Sequence, residues 1–133
     1  MGIHAMTTFV LPMTLPSVAN IREHWANKAR RTKAQRCAIK LSMPARKLAR
    51  ERNWLLLNGQ LVVTLTRISP RALDDDNLAS AFKGVRDEVA AQLGIDDRDA
   101  RVAWHYQQEK GTQAMRVCLA CVSTYGNTMD VPF

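Results

Sequence analysis

Apolar residues recur along this chain at two different spacings. Leu78, Phe82, Val85, Val89 and Leu93 fall three or four apart, the period of one helix face. The spacing predicts a helix over 77–93, with Asp76 as its N-cap and Gly94 as its stop. "RVAWHYQQE" (101–109) alternates instead. Val102, Trp104 and Tyr106 go to one face and Ala103, His105 and Gln107 to the other, as in a strand. "QLVVTLTRI" (60–68) is β-branched on both faces and reads as a central strand buried on both sides. Thr7–Leu11, closed by Pro12, and Met115–Val122 complete the predicted strands.

Between these lie further elements. Residues 23–43 read as a helix with Trp25, Ala29, Ala38, Ile39 and Leu41 as its apolar positions. Pro44 interrupts it, and 45–52 resumes as helix, ending near Asn53. "NG" at 58–59 and "KGTQ" at 110–113 are turn signals, the second read as a hairpin. "PMTLPSVANIR", with two prolines, reads as an irregular loop. The order is β-α-β-α-β-β. That gives an α+β fold in a single domain over 1–133, a mixed sheet with helices, and loose termini at 1–6 and 124–133.

The chain has 133 residues, of which 47% are hydrophobic, as in an ordinary globular domain. No apolar run is long enough to span a membrane. No charged segment followed by an apolar stretch opens the chain, so a cytoplasmic protein is expected. Cys118 and Cys121 form a C-x-x-C pair, but within a strand they point to opposite faces. With no second pair and no nearby histidine, buried reduced thiols are expected rather than zinc.

Charge changes the picture. The formal net charge is +7, unevenly placed. Arg22 to Arg52 holds eleven Lys/Arg against two Glu, a local +9, while Leu73 to Asp99 holds eight Asp/Glu against three Lys/Arg, a local −5. A basic half and an acidic centre imply a polyanionic partner and a separate place where carboxylates act. Lys28, Arg30, Arg31, Lys33 and Arg36, with Arg71 further on, are the candidate phosphate contacts. They show no helix-turn-helix pattern, so recognition by shape is expected. Trp25 and Trp104 are candidates for stacking on unpaired bases or for the core.

Carboxylates crowd at Asp74–Asp76 and at Asp96, Asp97 and Asp99. Two charges about 5 Å apart cost roughly 3 kcal/mol at an effective dielectric near 20. Helix capping and the helix dipole offset part of this, and a divalent cation is the other candidate. On an extended backbone Asp74 and Asp76 face the same way and Asp75 the other, and Mg²⁺ takes one or two such carboxylates.

The acidic pattern resembles that of the RusA-type Holliday junction resolvases of bacteria and their phages: D-x-D-N, a helix, a glycine, then an acidic pair. Here it reads Asp74-Asp75-Asp76-Asn77, helix, Gly94, Asp96-Asp97. "LPSVANIREHW" is similar to the family's Pro-Ser-Asn loop ahead of a basic helix. The resemblance implies a homodimeric, Mg²⁺-dependent endodeoxyribonuclease that resolves four-way DNA junctions in recombination and repair. Asp74, Asp76 and Asp97 (chosen over Asp96) would be its metal-binding, catalytic carboxylates. The family's lysine, four residues after the second Asp, is replaced here by Ser80. Lys83 lies three further on and shares that helix face, so the role passes to Lys83, whose alternative is an ordinary solvated lysine.

Geometry adds an expectation of its own. A helix over 77–93 is about 25 Å long, and Asp76 and Asp97 flank it. If they share one metal, two antiparallel copies of the helix must meet, giving composite active sites in a homodimer. Two other readings fit the same residues: a non-catalytic basic DNA-binding protein whose aspartates are caps and ion-pair partners, and a nuclease acting on flaps or single strands.

Overall fold

The computed structural model describes residues 2–16, 25–57 and 59–123. Its elements are β1 (Ile3–Leu11), α1 (Trp25–Ser42), a 3₁₀ turn (Ala45–Leu48), α2 (Ala49–Leu56), β2 (Gln60–Ser69), α3 (Asp75–Ala81), α4 (Lys83–Leu93), β3 (Val102–Lys110) and β4 (Ala114–Val122). The α+β class and the element order are as expected. The four strands form one mixed sheet in the order β1-β4-β2-β3. β2 runs parallel to β3, from Leu61 opposite Val102 to Ser69 opposite Lys110. β4 lies antiparallel to β2 on its other side and antiparallel to β1.

The core forms on one face of this sheet. Leu61, Val63 and Leu65 of β2 and Met115, Val117 and Leu119 of β4 are fully buried there. They meet Ile39 of α1 and Met43 just beyond its end, Leu48 and Leu55 around α2, and Leu78, Phe82, Val85, Val89 and Leu93 of α3–α4. Each such side chain contributes about 1.5–3 kcal/mol through burial. On the other face of β2, Thr66 is buried, while Val62, Thr64 and Ile68 are half-buried. The strand is central in order but not fully buried on both sides, because the core lies on one side.

Several expectations are corrected. β1 starts at Ile3, so 3–6 are paired strand rather than a loose terminus. "KGTQ" does not close a hairpin, because β2 lies between β3 and β4. The turn instead crosses the end of β2, where the Gly111 N–H donates to the Ser69 carbonyl at 3.2 Å. A Cβ at Gly111 would stand 3.0 Å from Ile68 Cγ2, so the crossing is tight. Spanning two strand spacings takes about 10 Å, within reach of a few extended residues, so a short turn does not by itself specify a hairpin. Leu41 is 75% exposed because the inner face of α1 runs through Gln35, Ile39 and Met43, and two residues turn the helix about 200°. Ala29 is exposed as well. α2 runs to Leu56, beyond the expected end near Asn53. Residues 17–24, on which part of the expected loop and the start of the expected helix fall, Asn58, residues 124–133 and the Trp25 side chain lie outside the described residues.

The predicted 77–93 helix is also different. It begins at Asp75 and is interrupted at Phe82. The Phe82 N–H donates to Ala79 (3.2 Å) in a 3₁₀-type bond, and the Arg86 N–H restores the α pattern by donating to Phe82 (2.8 Å). Gly94 ends the helix in the left-handed conformation, φ 73°, as a C′ glycine does.

Candidate functional site

The first acidic cluster sits on the turn from β2 into α3. Asp74 is extended (φ −71°, ψ 166°), and its Oδ1 accepts the Asn77 N–H at 3.0 Å. Asp74 rather than Asp76 is therefore the N-cap, since the capping carboxylate must reach an N–H three residues on. Asp75 and Asp76 already lie in the first helical turn. The three side chains fan out at about 100° per residue, so the extended arrangement that would aim Asp74 and Asp76 the same way is not present. All three are exposed, and the helix dipole favours them there.

Two side chains from the core face of the sheet hold this turn. Gln108 on β3 bonds both backbone groups of Leu73. Arg67 on β2, 8% exposed, donates to the carbonyls of Arg71 (2.6 Å) and Leu15 (2.8 Å). Burial pushes the Arg67 pKa below its ordinary value.

The second cluster follows Gly94. Asp96 Oδ1 accepts the Arg98 N–H at 2.8 Å, which with the Arg98 charge holds its pKa low. Asp99 is bound by Arg101 through side chain (2.8 and 3.1 Å) and backbone (2.9 Å), which lowers its pKa to about 2. Asp97 faces Arg86. Its carbonyl accepts from Arg86 Nη2 (2.8 Å) and from Trp104 Nε1 (3.0 Å).

One chain does not bring the two clusters together. Leu73 is fastened at Gln108 and Asp97 at Trp104, four residues or roughly 13 Å apart along β3. Ligands of a single Mg²⁺ lie about 2.1 Å from it. Among the described residues no group of three or more His, Cys, Asp or Glu is close enough to hold a metal. The oxygen-only donors Asp74–Asp76 suit a hard cation needing one or two carboxylates. The three-carboxylate set does not form within this chain.

The basic residues gather along α1. Lys28, Arg30 and Lys33 are exposed, and Arg31 and Arg36 half-buried. Arg30 bonds Asn27. Arg36 donates from Nε to Glu88 on α4 at 3.0 Å, so part of its charge serves the fold. Burial opposes ionisation of Glu88, but hydrogen bonds from Gln92 and Arg36 outweigh it and hold the pKa below the ordinary value. Arg71 is exposed three residues before Asp74. Lys83 is exposed at the start of α4, 3.7 Å from Asp87. It lines a cavity of about 420 Å³ with Lys28, Arg31, Thr32, Ser80 and Gly84. Ser80 and Lys83 thus border the same groove. Trp104 is half-buried against the core, with the Arg86 guanidinium 4.8 Å over its ring. Cys121 is buried, which raises its thiol pKa to about 11, while Cys118 is half-exposed.

The sequence reading missed Arg67, Arg86 and Gln108. Gln108 continues the inward alternation of Val102, Trp104 and Tyr106. A polar residue at an inward strand position was the available signal.

No family model matches this chain. It is 34% identical over 104 residues to an uncharacterized protein of Xylella fastidiosa, a match covering 73% of this chain and 64% of that protein. The chain therefore spans less than two thirds of that relative's length. No helix among the described residues is long and apolar enough to cross a membrane.

Proposed function

We propose that the protein is a Mg²⁺-dependent, structure-specific endodeoxyribonuclease of the RusA type, acting on four-way DNA junctions as a homodimer. The observation that carries this reading is the groove beside the acidic helix start, lined by the cations Lys28, Arg31 and Lys83 against the single carboxylate Asp87. Ser80, on the wall shared with Lys28, Arg31 and Lys83, is four residues from Asp76, about 6 Å along the helix. A phosphate held in the groove sets its neighbour on the strand within reach of the Asp74–Asp76 turn.

In this reading Lys28, Arg30, Arg31, Lys33 and Arg71 hold the DNA backbone, and Arg36 shares its charge between DNA and Glu88. Lys83 faces the phosphates and stabilises negative charge developing on them. Asp74 and Asp76 would hold the metal once their exposed side chains turn from the fanned arrangement onto one ion, and Asp97 would come from the partner protomer, because Asp97 of the same chain is too distant. Bound Mg²⁺ would polarise the phosphodiester and activate a water.

A second reading is favoured by a specific observation. Asp74 caps α3, and Asp97 and Asp99 sit in ion pairs, so each of these carboxylates has a structural use. A non-catalytic DNA-binding protein would need no more. The deciding experiment compares a synthetic four-way junction with a linear duplex, using wild type and Asp76→Asn, in Mg²⁺ or EDTA. The nuclease gives symmetric nicks in the junction alone, lost in the variant and in EDTA. Tight binding without cleavage under any divalent metal establishes the binding protein. Nicks in flaps or single strands would redirect the substrate assignment.

A further inference from the structure

Arg86 ties α4 to the second acidic turn and to β3 through several polar contacts. It sits on α4 beside the core stripe and reaches β3. Nη1 donates to the Tyr106 hydroxyl and Nη2 to the Asp97 carbonyl, both at 2.8 Å. The guanidinium lies over Trp104, whose own N–H donates to the same Asp97 carbonyl. Phe82, at the helix interruption, stacks on Tyr106 with centroids 5.8 Å apart. Two donors on one carbonyl fix the backbone at Asp97.

The carboxylate of Asp97 is held differently. Its Oδ2 is 3.4 Å from Arg86 Nε, and that Nε is buried with no hydrogen-bond partner. Asp96 and Asp99, by contrast, engage their carboxylates in hydrogen bonds of 2.8–3.1 Å. The turn therefore offers one aspartate with a pinned backbone and a carboxylate held by an ion pair at 3.4 Å rather than by a hydrogen bond. A group recruited from one protomer to a site on another needs that combination.

We infer that Arg86 is the positioning residue for Asp97, acting with Trp104 and Tyr106 to present its carboxylate to the metal. The inference rests on the nuclease reading above and deepens it, and it selects Asp97 over Asp96. Lysine cannot replace arginine here, because the planar fork serves Tyr106 and the Asp97 carbonyl together. Residues that orient a metal ligand typically change metal affinity 10–100-fold when removed.

The test measures Mn²⁺ binding by calorimetry without DNA, junction affinity in EDTA, and the Mg²⁺ concentration for half-maximal cleavage. Arg86→Lys is expected to bind the junction like wild type while needing at least about tenfold more metal in both metal titrations. Tyr106→Phe, which removes one hydroxyl, shifts them less and still reads the effect if Arg86→Lys does not fold. Arg86→Lys adds little on top of Asp97→Asn, because Arg86 acts through that carboxylate. Unchanged metal affinity in Arg86→Lys or, where that does not fold, in Tyr106→Phe, beside a wild type that binds metal and cleaves, overturns the role of Arg86 alone. Unchanged affinity in Asp97→Asn overturns Asp97 as the recruited ligand. A wild type that neither binds Mn²⁺ nor cleaves any branched DNA overturns the nuclease reading and this inference with it.

Discussion

Gln108 grips Leu73 by both of its backbone polar groups: Oε1 accepts the Leu73 N–H at 2.9 Å, and Nε2 donates to the Leu73 carbonyl at 2.5 Å. The side-chain amide does for one residue what a neighbouring strand does for a ladder. It fastens the chain immediately before Asp74.

Replacing Gln108 by Leu keeps the volume and removes both bonds. At about 1 kcal/mol for each hydrogen bond, the expected cost is about 1–2 kcal/mol, measured by urea unfolding. Glu is no rescue, since it keeps an acceptor for the N–H but sets a carboxylate against the Leu73 carbonyl. If the Asp74–Asp76 turn is where catalysis occurs, cleavage by a Gln108→Leu protein that remains fully folded falls below wild type. Equal activity would show that the turn holds its shape unaided.

The sequence made the helical stripe legible because Leu78, Phe82, Val85, Val89 and Leu93 all repeat toward one core. It made the strands legible wherever one face is buried. It concealed what depends on distant partners. The position of β4 between β1 and β2 follows from long-range pairing, and a three-residue turn is compatible with either topology. Asp74 and Asp76 are equally good caps by residue type, and local geometry chose Asp74. Arg86 carries no local signal of its role, because its partners Tyr106, Trp104 and Asp97 are 11 to 20 residues away in the chain. The proposed dimer partner leaves no periodic mark at all.

Arg36 and Glu88 tie α1 to α4, with the Glu88 side chain 6% exposed and that of Arg36 42% exposed. Arg36→Ala leaves a buried carboxylate without its cation. Breaking such a pair costs several kcal/mol when fully buried, so about 2–3 kcal/mol is expected for this half-open one, against less for Glu88→Gln. The pH dependence has a definite sign. The folded Glu88 pKa is lowered, so its contribution is present above the ordinary glutamate range and lost as pH falls through the folded value. Asp99, at about 2, acts in the same direction between about pH 4 and pH 2. Glu88→Gln and Asp99→Asn should each flatten the loss of melting temperature on acidification. Curves parallel to wild type would remove these pairs as its cause.

Gly84 sets how closely α1 approaches α4. A Cβ there would stand 3.2 Å from Thr32 Cγ2 and 3.4 Å from Gln35 Oε1, both on side chains that can shift slightly. Alanine gains about 1 kcal/mol of helix propensity over glycine and spends part of it on that crowding, so Gly84→Ala is expected within about 1 kcal/mol of wild type. Gly84→Val adds a branched group against the same atoms and costs about 1–3 kcal/mol. Thermal melts of the two variants check this. A valine variant as stable as wild type would mean that the helices separate without penalty, and that the groove beside Lys28 and Lys83 is not fixed in width.

Lys83 can be separated from the carboxylates by salt. Each phosphate neutralised contributes about 0.9 to the slope of log affinity against log salt on duplex DNA. Lys28→Ala and Lys33→Ala are each expected to lower the slope for junction binding by about that amount, with affinity falling alike for all sequences. Lys83 lines the same cavity as Lys28 and Arg31, so Lys83→Ala should lower the slope by a similar step and also reduce cleavage at saturating junction. If cleavage falls with the slope unchanged, Lys83 touches the reacting phosphate only in the transition state. If the slope falls with saturated cleavage intact, Lys83 is a DNA-backbone contact, and charge stabilisation at the scissile phosphate must come from the metal and another cation.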